Sequence, residues 1–182
     1  MSAGEDSTPR VLELYSARAV DERIAGLARE LASALPARAA LLVVIAEGAL
    51  RFADRLTARL AERGVRAEQV VVRARRSRGT ELLPVELEGC APAQFAARDV
   101  VVVDDIADEG RTLEAVCAQV RAGGPRSLQT AVLVSKLSRR QVPLPLDHVG
   151  FEVARGWVVG YGMDLDGRYR ELDFLGVLEG TE

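Results

Sequence analysis

Apolar and polar positions alternate in blocks that predict strands and helices in turn. Ile24, Leu27, Ala28, Leu31 and Leu35 recur at helical spacing, and Pro36 ends that helix. Ala40–Ala46 is an unbroken apolar run and predicts a buried strand. Glu47-Gly48 follows, then a second helix carrying Ala53, Leu56 and Leu60 as far as Gly64, and Glu68–Val72 predicts the next strand. Val100-Val101-Val102-Val103 is β-branched throughout, which fits a strand covered on both faces, as in a parallel sheet. After it, Leu113, Val116, Cys117 and Val120 fall on one helical face, and Gly123-Gly124-Pro125 stops that helix sharply. Gln129–Ser135 predicts another buried strand, and His148–Val153, Trp157–Tyr161 and Leu175–Leu178 predict short ones split by turns at Gly156 and Asp166-Gly167.

Strands alternating with helices predict an α/β fold with a doubly wound, mainly parallel sheet, and the late short strands predict a small hood over its edge. Residues 1–10 are small and polar and are expected to form a loose terminus. Residues 73–98 show no clear period and carry Arg73, Arg75, Arg76 and Arg78 around Gly79, so a flexible loop region between two hairpin-like strands is expected there. The length suits one domain over residues 1–182.

The junction after the valine run carries the candidate chemistry: Asp104-Asp105-Ile106-Ala107-Asp108-Glu109-Gly110-Arg111-Thr112. Ligands of open α/β sheets collect at the carboxyl ends of strands. A glycine turn feeding a helix N-terminus aims backbone N–H groups at an anion, most often phosphate. The acids suit ribose hydroxyls, a metal ion, or a proton to be removed. The plain alternative is a corner whose acids face water, since acids gather at helix starts for dipole reasons alone. Four acids, a glycine and a threonine are more than a turn requires.

Composition narrows the class. The chain is 48% hydrophobic but only 4% aromatic, so its core must be aliphatic. A net charge of −3 argues against a nucleic-acid or membrane-surface binder. No apolar run approaches the roughly 18 residues of a membrane span, and the start has no signal-peptide pattern. Cys90 and Cys117 form neither a disulfide framework nor a metal-ligand spacing, and Cys117 belongs to the core face of its helix. A cytoplasmic protein is expected. Lys136 is the only lysine in an arginine-rich chain. Either chance put it there, or the position needs a compact ammonium that a planar guanidinium cannot replace.

The junction resembles the phosphoribosyl-pyrophosphate motif of type I phosphoribosyltransferases, and further segments are similar to their hypoxanthine(-guanine) branch. Those segments are Lys136-Leu137-Ser138-Arg139-Arg140, Val149-Gly150-Phe151-Glu152, Trp157-Val158-Val159-Gly160-Tyr161-Gly162-Met163-Asp164 and Arg168-Tyr169-Arg170, in order and at the expected spacing. Ile45-Ala46-Glu47-Gly48 sits where a pyrophosphate loop would be, so the likeness runs from about Ile24 to Leu178. The resemblance implies transfer of a 5-phosphoribosyl group from phosphoribosyl pyrophosphate to hypoxanthine, guanine or a purine-like base, with Mg²⁺ help and release of pyrophosphate.

It also implies roles. Asp104 and Asp105 would hold the ribose hydroxyls and metal, and Asp108 would be the acid/base group at the purine imidazole. Glu109, Gly110, Arg111 and Thr112 would cradle the 5′-phosphate. Lys136 would donate to the 6-oxo group, with Trp157 and Ile106 on the two faces of the base and Val158 at its edge. Glu47, Gly48, Arg75, Arg76 and Arg170 would meet pyrophosphate, and Asp164 would help hold a second metal. A homodimer or homotetramer is implied. Plainer readings stand beside these: Trp157 as core, Asp164 as a turn residue, Arg170 as a surface arginine, and His148 as structural. Three positions depart from the pattern: Glu47 where relatives carry lysine or arginine, Glu109 for threonine or serine, and Arg73–Arg78 in place of a loop Ser-Tyr pair. These departures keep open a non-catalytic, regulatory nucleotide-binding member of the same superfamily.

Overall fold

The computed structural model describes residues 9–35, 39–75, 86–89, 91–136 and 141–181, without the side chains of residues 74, 75, 86 and 87. Pro36, Arg76, Cys90, residues 137–140 and most of the arginine-rich loop therefore lie outside the described residues.

The elements are β1 (Val11–Tyr15), α1 (Ala17–Ala34), β2 (Ala39–Ala46), α2 (Leu50–Ala61), β3 (Arg66–Arg75) and β4 (Glu86–Glu88). They continue, after a 3-10 turn at Pro92–Phe95, with β5 (Asp99–Ala107), α3 (Arg111–Ala122), β6 (Ser127–Ser135), β7 (His148–Glu152), β8 (Val158–Val159) and β9 (Leu175–Leu178). The main sheet has the order β4-β3-β2-β5-β6-β7, and all its pairings are parallel except the β3–β4 hairpin. The chain works outward from β2 to β4 and then returns to β5. The reversal leaves a crevice between the carboxyl ends of β2 and β5, the place where such sheets bind ligands.

The four valines show why this strand lies at the centre. Val101 and Val103 join one apolar core with α1, α2 and the hood, while Val100 and Val102 join another with Phe95 and the Leu113, Val116, Cys117 and Val120 face of α3. Alternation along a strand sends successive side chains to opposite faces, so a run without polar breaks must be covered twice. All four are fully buried, each contributing about 1.5–3 kcal/mol of transfer free energy. The Cys117 thiol, pushed up to about 11 by burial, is core as the helical spacing indicated.

The short strands divide differently from expectation. His148–Glu152 is not part of a hood; it adds to the main sheet as β7, parallel to β6. Asp147 draws it there by accepting from Thr130 N and Oγ1 at 2.8 and 3.0 Å. His148 is structural, its ring nitrogens facing Gln129 Oε1 at 2.8 Å and Glu30 Oε2 at 3.4 Å. The hood proper is a three-stranded sheet, β1-β9-β8, whose first strand the periodicity did not indicate. Arg51 on α2 fixes it in place: Nη1 donates to Leu172 O at 2.7 Å, and the guanidinium lies 4.5 Å from the Tyr161 ring centroid.

Candidate active site

β5 does not end with its valines. It stays paired with β6 through Asp104↔Val132, Ile106↔Val134 and Ala107↔Ser135, so the two acids ride on a rigid strand rather than on a loop. Asp108 and Glu109 then make the turn, and Gly110, at φ 84°, is the N-cap of α3 with no side chain to close it. The first turn of the helix faces a cavity of about 450 Å³, lined by Ile45 and Ala46 from β2 and by Asp104 to Leu113 without Ala107. Helix start, cavity and strand ends thus coincide, as an anion site at an α/β crevice requires.

A second cavity of about 250 Å³ adjoins it and shares Asp105, Ile106 and Asp108 with the first. Its other walls are Lys136 at the end of β6 and Trp157, Val158, Met163 and Asp164 from the hood. Lys136 is only 4% exposed, and its N–H donates to Ala107 O at 3.0 Å, which ties the end of β6 to the end of β5. Trp157 is not core. It is 44% exposed at the rim and donates from Nε1 to Asp164 O at 3.0 Å.

On the other side, the β2–α2 loop is pressed against the acids. A Cβ at Gly48 would overlap the Asp105 carboxylate, and a Cβ at Gly162, where φ is 104°, would overlap Gly48 O. Only glycine at both places lets loop, acid and hood meet. Arg170 Nη2 pairs with Asp164 Oδ1 at 2.9 Å, and Nη1 donates to Gly162 O at 3.4 Å while lying 3.9 Å from Glu47 Oε2. Asp164 Oδ2 also accepts from Gly167 N at 2.7 Å, so Asp164 is both a turn residue and the partner of Arg170. Arg75 is the last residue of β3, paired with Glu86 in the hairpin; its side chain, like Arg76, is outside the described residues.

Motif reading missed Gln141. Its N–H donates to Glu109 O at 3.1 Å, and its Oε1 accepts from Arg111 Nε at 3.1 Å and also from Nη2. It thereby braces the turn before α3 from both sides. No periodicity or composition marks this position; only the folded geometry does.

Burial raises the Asp104 carboxyl well above the ordinary range, and the Asp105 charge beside it raises it further; burial raises Asp105 too. Two adjacent carboxylates, Asp104 buried and Asp105 half-buried, are costly unless something positive or hydrogen-bonding joins them. Because the folded form holds the Asp104 proton more tightly than the unfolded chain, stability falls as pH rises from the unfolded carboxylate range through the raised folded value. Asp104→Asn keeps the Oδ1 that accepts from Asp105 N at 3.1 Å but does not titrate. In EDTA its melting temperature should exceed that of the wild type at pH 8 and match it under strongly acid conditions, while activity is lost. Relief of 1 kcal/mol would show as about 2–4 °C at this chain length. A less stable variant at pH 8 would contradict this account of the pair.

A parallel sheet with acids and a helix start at its switch point, roofed by a hood, defines a nucleotide- or phosphosugar-binding α/β domain. The chain belongs to the phosphoribosyl transferase domain family, whose model matches residues 10–166. It is similar to the hypoxanthine-guanine phosphoribosyltransferase of Mycobacterium avium, 31% identical over 172 aligned residues that cover 91% of this chain and 84% of that protein. The hypoxanthine phosphoribosyltransferase of Salmonella typhimurium is 43% identical over 79 residues, 43% of this chain and 44% of that protein. Among solved structures, hypoxanthine phosphoribosyl transferase of Trypanosoma cruzi superposes with a TM-score of 0.86 at 26% identity, over 96% of this chain and 94% of that one. The type I phosphoribosyltransferase fold expected from the sequence is therefore the fold the chain adopts.

Proposed function

We propose that the chain is a purine phosphoribosyltransferase that moves the 5-phosphoribosyl group of phosphoribosyl pyrophosphate onto a 6-oxopurine, hypoxanthine or guanine, or onto a purine-like base. One observation carries the reading: two adjoining cavities meet at Asp105, Ile106 and Asp108, one opening on a helix start and the other on a buried lysine. A phosphosugar in the first would present its anomeric carbon to a base in the second.

In this scheme a purine ring nitrogen bonds to the anomeric carbon as the bond to the diphosphate oxygen breaks, and the proton on that purine passes to the Asp108 carboxylate. Asp104 and Asp105 accept from the ribose hydroxyls. The first turn of α3, from Gly110 through Arg111 and Thr112, takes the 5′-phosphate, with Glu109 beside it. Arg170 and the backbone at Glu47-Gly48 face the diphosphate, Lys136 donates to the 6-oxo oxygen, and Trp157 and Ile106 flank the base with Val158 at its edge. Orientation and fixed charges, supplied before the reaction, account for most of the rate enhancement such a site can give.

Among the described residues no group of three or more His, Cys, Asp or Glu side chains could hold a metal ion. The Asp104–Asp105 pair instead suits Mg²⁺ arriving with the substrate, because that ion is usually held by one or two carboxylates together with substrate phosphates. Asp164 would contribute only on leaving Arg170. The ion would supply neutralisation of charge on the departing diphosphate. The proposal extends to a single domain acting in the cytoplasm as a homodimer or homotetramer, which light scattering after size exclusion would test.

Pyrophosphate release from phosphoribosyl pyrophosphate, Mg²⁺ and a panel of bases tests the reading directly. Release dependent on hypoxanthine or guanine is expected. Binding of the nucleotide with no release for any base would replace the enzyme with the regulatory alternative.

A further inference from the structure

Glu47 is an acid that follows Ala46, a wall residue of the cavity proposed to take a phosphosugar, and its exposed side chain lies beside Arg170. Its Oε2 lies 3.9 Å from Arg170 Nη1, while Arg170 Nη2 is held by Asp164 Oδ1 at 2.9 Å. Arg170 is also close enough to Asp105 to favour its charged form. Nη1 itself donates to Gly162 O at 3.4 Å, so Glu47 is its charged neighbour rather than its hydrogen-bond partner. A guanidinium presents its fork equally to carboxylate and phosphate oxygens.

We infer that the Glu47 carboxylate is a built-in competitor for the diphosphate: it stands beside Arg170 and must be displaced when phosphoribosyl pyrophosphate binds. The pair is suited to displacement rather than to stability. The Glu47 side chain is 63% exposed and that of Arg170 38%, so water screens their attraction and the contact opens readily. The loop backbone is fixed independently, by Leu50 N donating to Glu47 O at 3.3 Å and by the close approach of Gly48 to Asp105. The side chain therefore swings on an anchored loop, holding back the diphosphate on entry and hastening its release. Glu47 becomes a residue that sets substrate affinity, whereas its backbone belongs to the site. The inference rests on the proposed function, which places the diphosphate at Arg170.

Calorimetric titration of Mg²⁺-pyrophosphate into the full chain reads the effect without turnover. Glu47→Gln should tighten pyrophosphate by roughly three- to tenfold, as expected for removing one charge near a polyanion in high dielectric, and the gain should shrink with added salt. KM for phosphoribosyl pyrophosphate should fall in parallel while KM for the base stays put. In an Arg170→Gln background the same change should give a smaller gain, because the competition has lost its object. Glu47→Ala should behave like Glu47→Gln, which guards against an accident of the glutamine side chain. Unchanged or weaker pyrophosphate binding in both Glu47 variants, with the wild type active, would overturn this inference alone. A wild type that neither binds pyrophosphate nor turns over phosphoribosyl pyrophosphate would overturn the proposed function along with it.

Discussion

Asp108→Asn should lower kcat by roughly 10²–10⁴-fold, the usual worth of a positioned acid–base group. The reasoning begins with position. Asp108 follows directly on β5 and lines both cavities, so its carboxyl stands where a base in one would approach a sugar in the other. A purine that bonds through a ring nitrogen must give up a proton, and a carboxylate accepts it whereas a carboxamide of the same shape does not. The substitution leaves the walls of both cavities almost unchanged, so KM for phosphoribosyl pyrophosphate and for the base should move far less than kcat. That split separates proton transfer from binding, because an interaction made only in the transition state lowers kcat and kcat/KM together. Asp108→Glu lengthens the arm and should recover only part of the loss. Near-normal turnover of hypoxanthine by Asp108→Asn would remove Asp108 from the reaction and pass the role to another group in the shared wall.

Most of the candidate site's framework was legible in the chain because its parts are local. A valine run that needs cover on both faces fixed β5, and the glycine and helical spacing after it fixed the turn and α3. What stayed hidden depends on partners far along the chain. β1 leaves Leu12, Glu13 and Leu14 exposed and gains its order from β9, so no alternation marks it. β7 has the apolar character of a hood strand, and only the contacts of Asp147 and His148 with β6 show which sheet it joins. The acids of Asp104–Ala107 mask the fact that β5 continues through them. Glu47 was visible as an anomaly, but its meaning required Arg170 beside it. Gln141 carried no signal at all.

Lys136 should make the enzyme prefer 6-oxopurines over 6-aminopurines by about one to two decades in kcat/KM. Lys136 is buried at the end of β6, in a cavity that Trp157 also lines. An ammonium has only donors. A 6-oxo oxygen accepts from it, while a 6-amino group brings hydrogens against hydrogens. A hydrogen bond to a charged group contributes about 1.5–3 kcal/mol, and each 1.4 kcal/mol or so is a factor of ten in rate. Hypoxanthine or guanine should therefore outcompete adenine by at least that factor. Lys136→Ala should shrink the ratio, mostly by slowing the 6-oxopurines. Lys136→Arg should impair activity as well, because a planar fork has to fit where a compact point charge is enclosed. Competition assays with paired bases give the ratio directly, free of differences in enzyme concentration. Equal use of adenine and hypoxanthine by the wild type, or full discrimination in Lys136→Ala, would take base recognition away from this lysine.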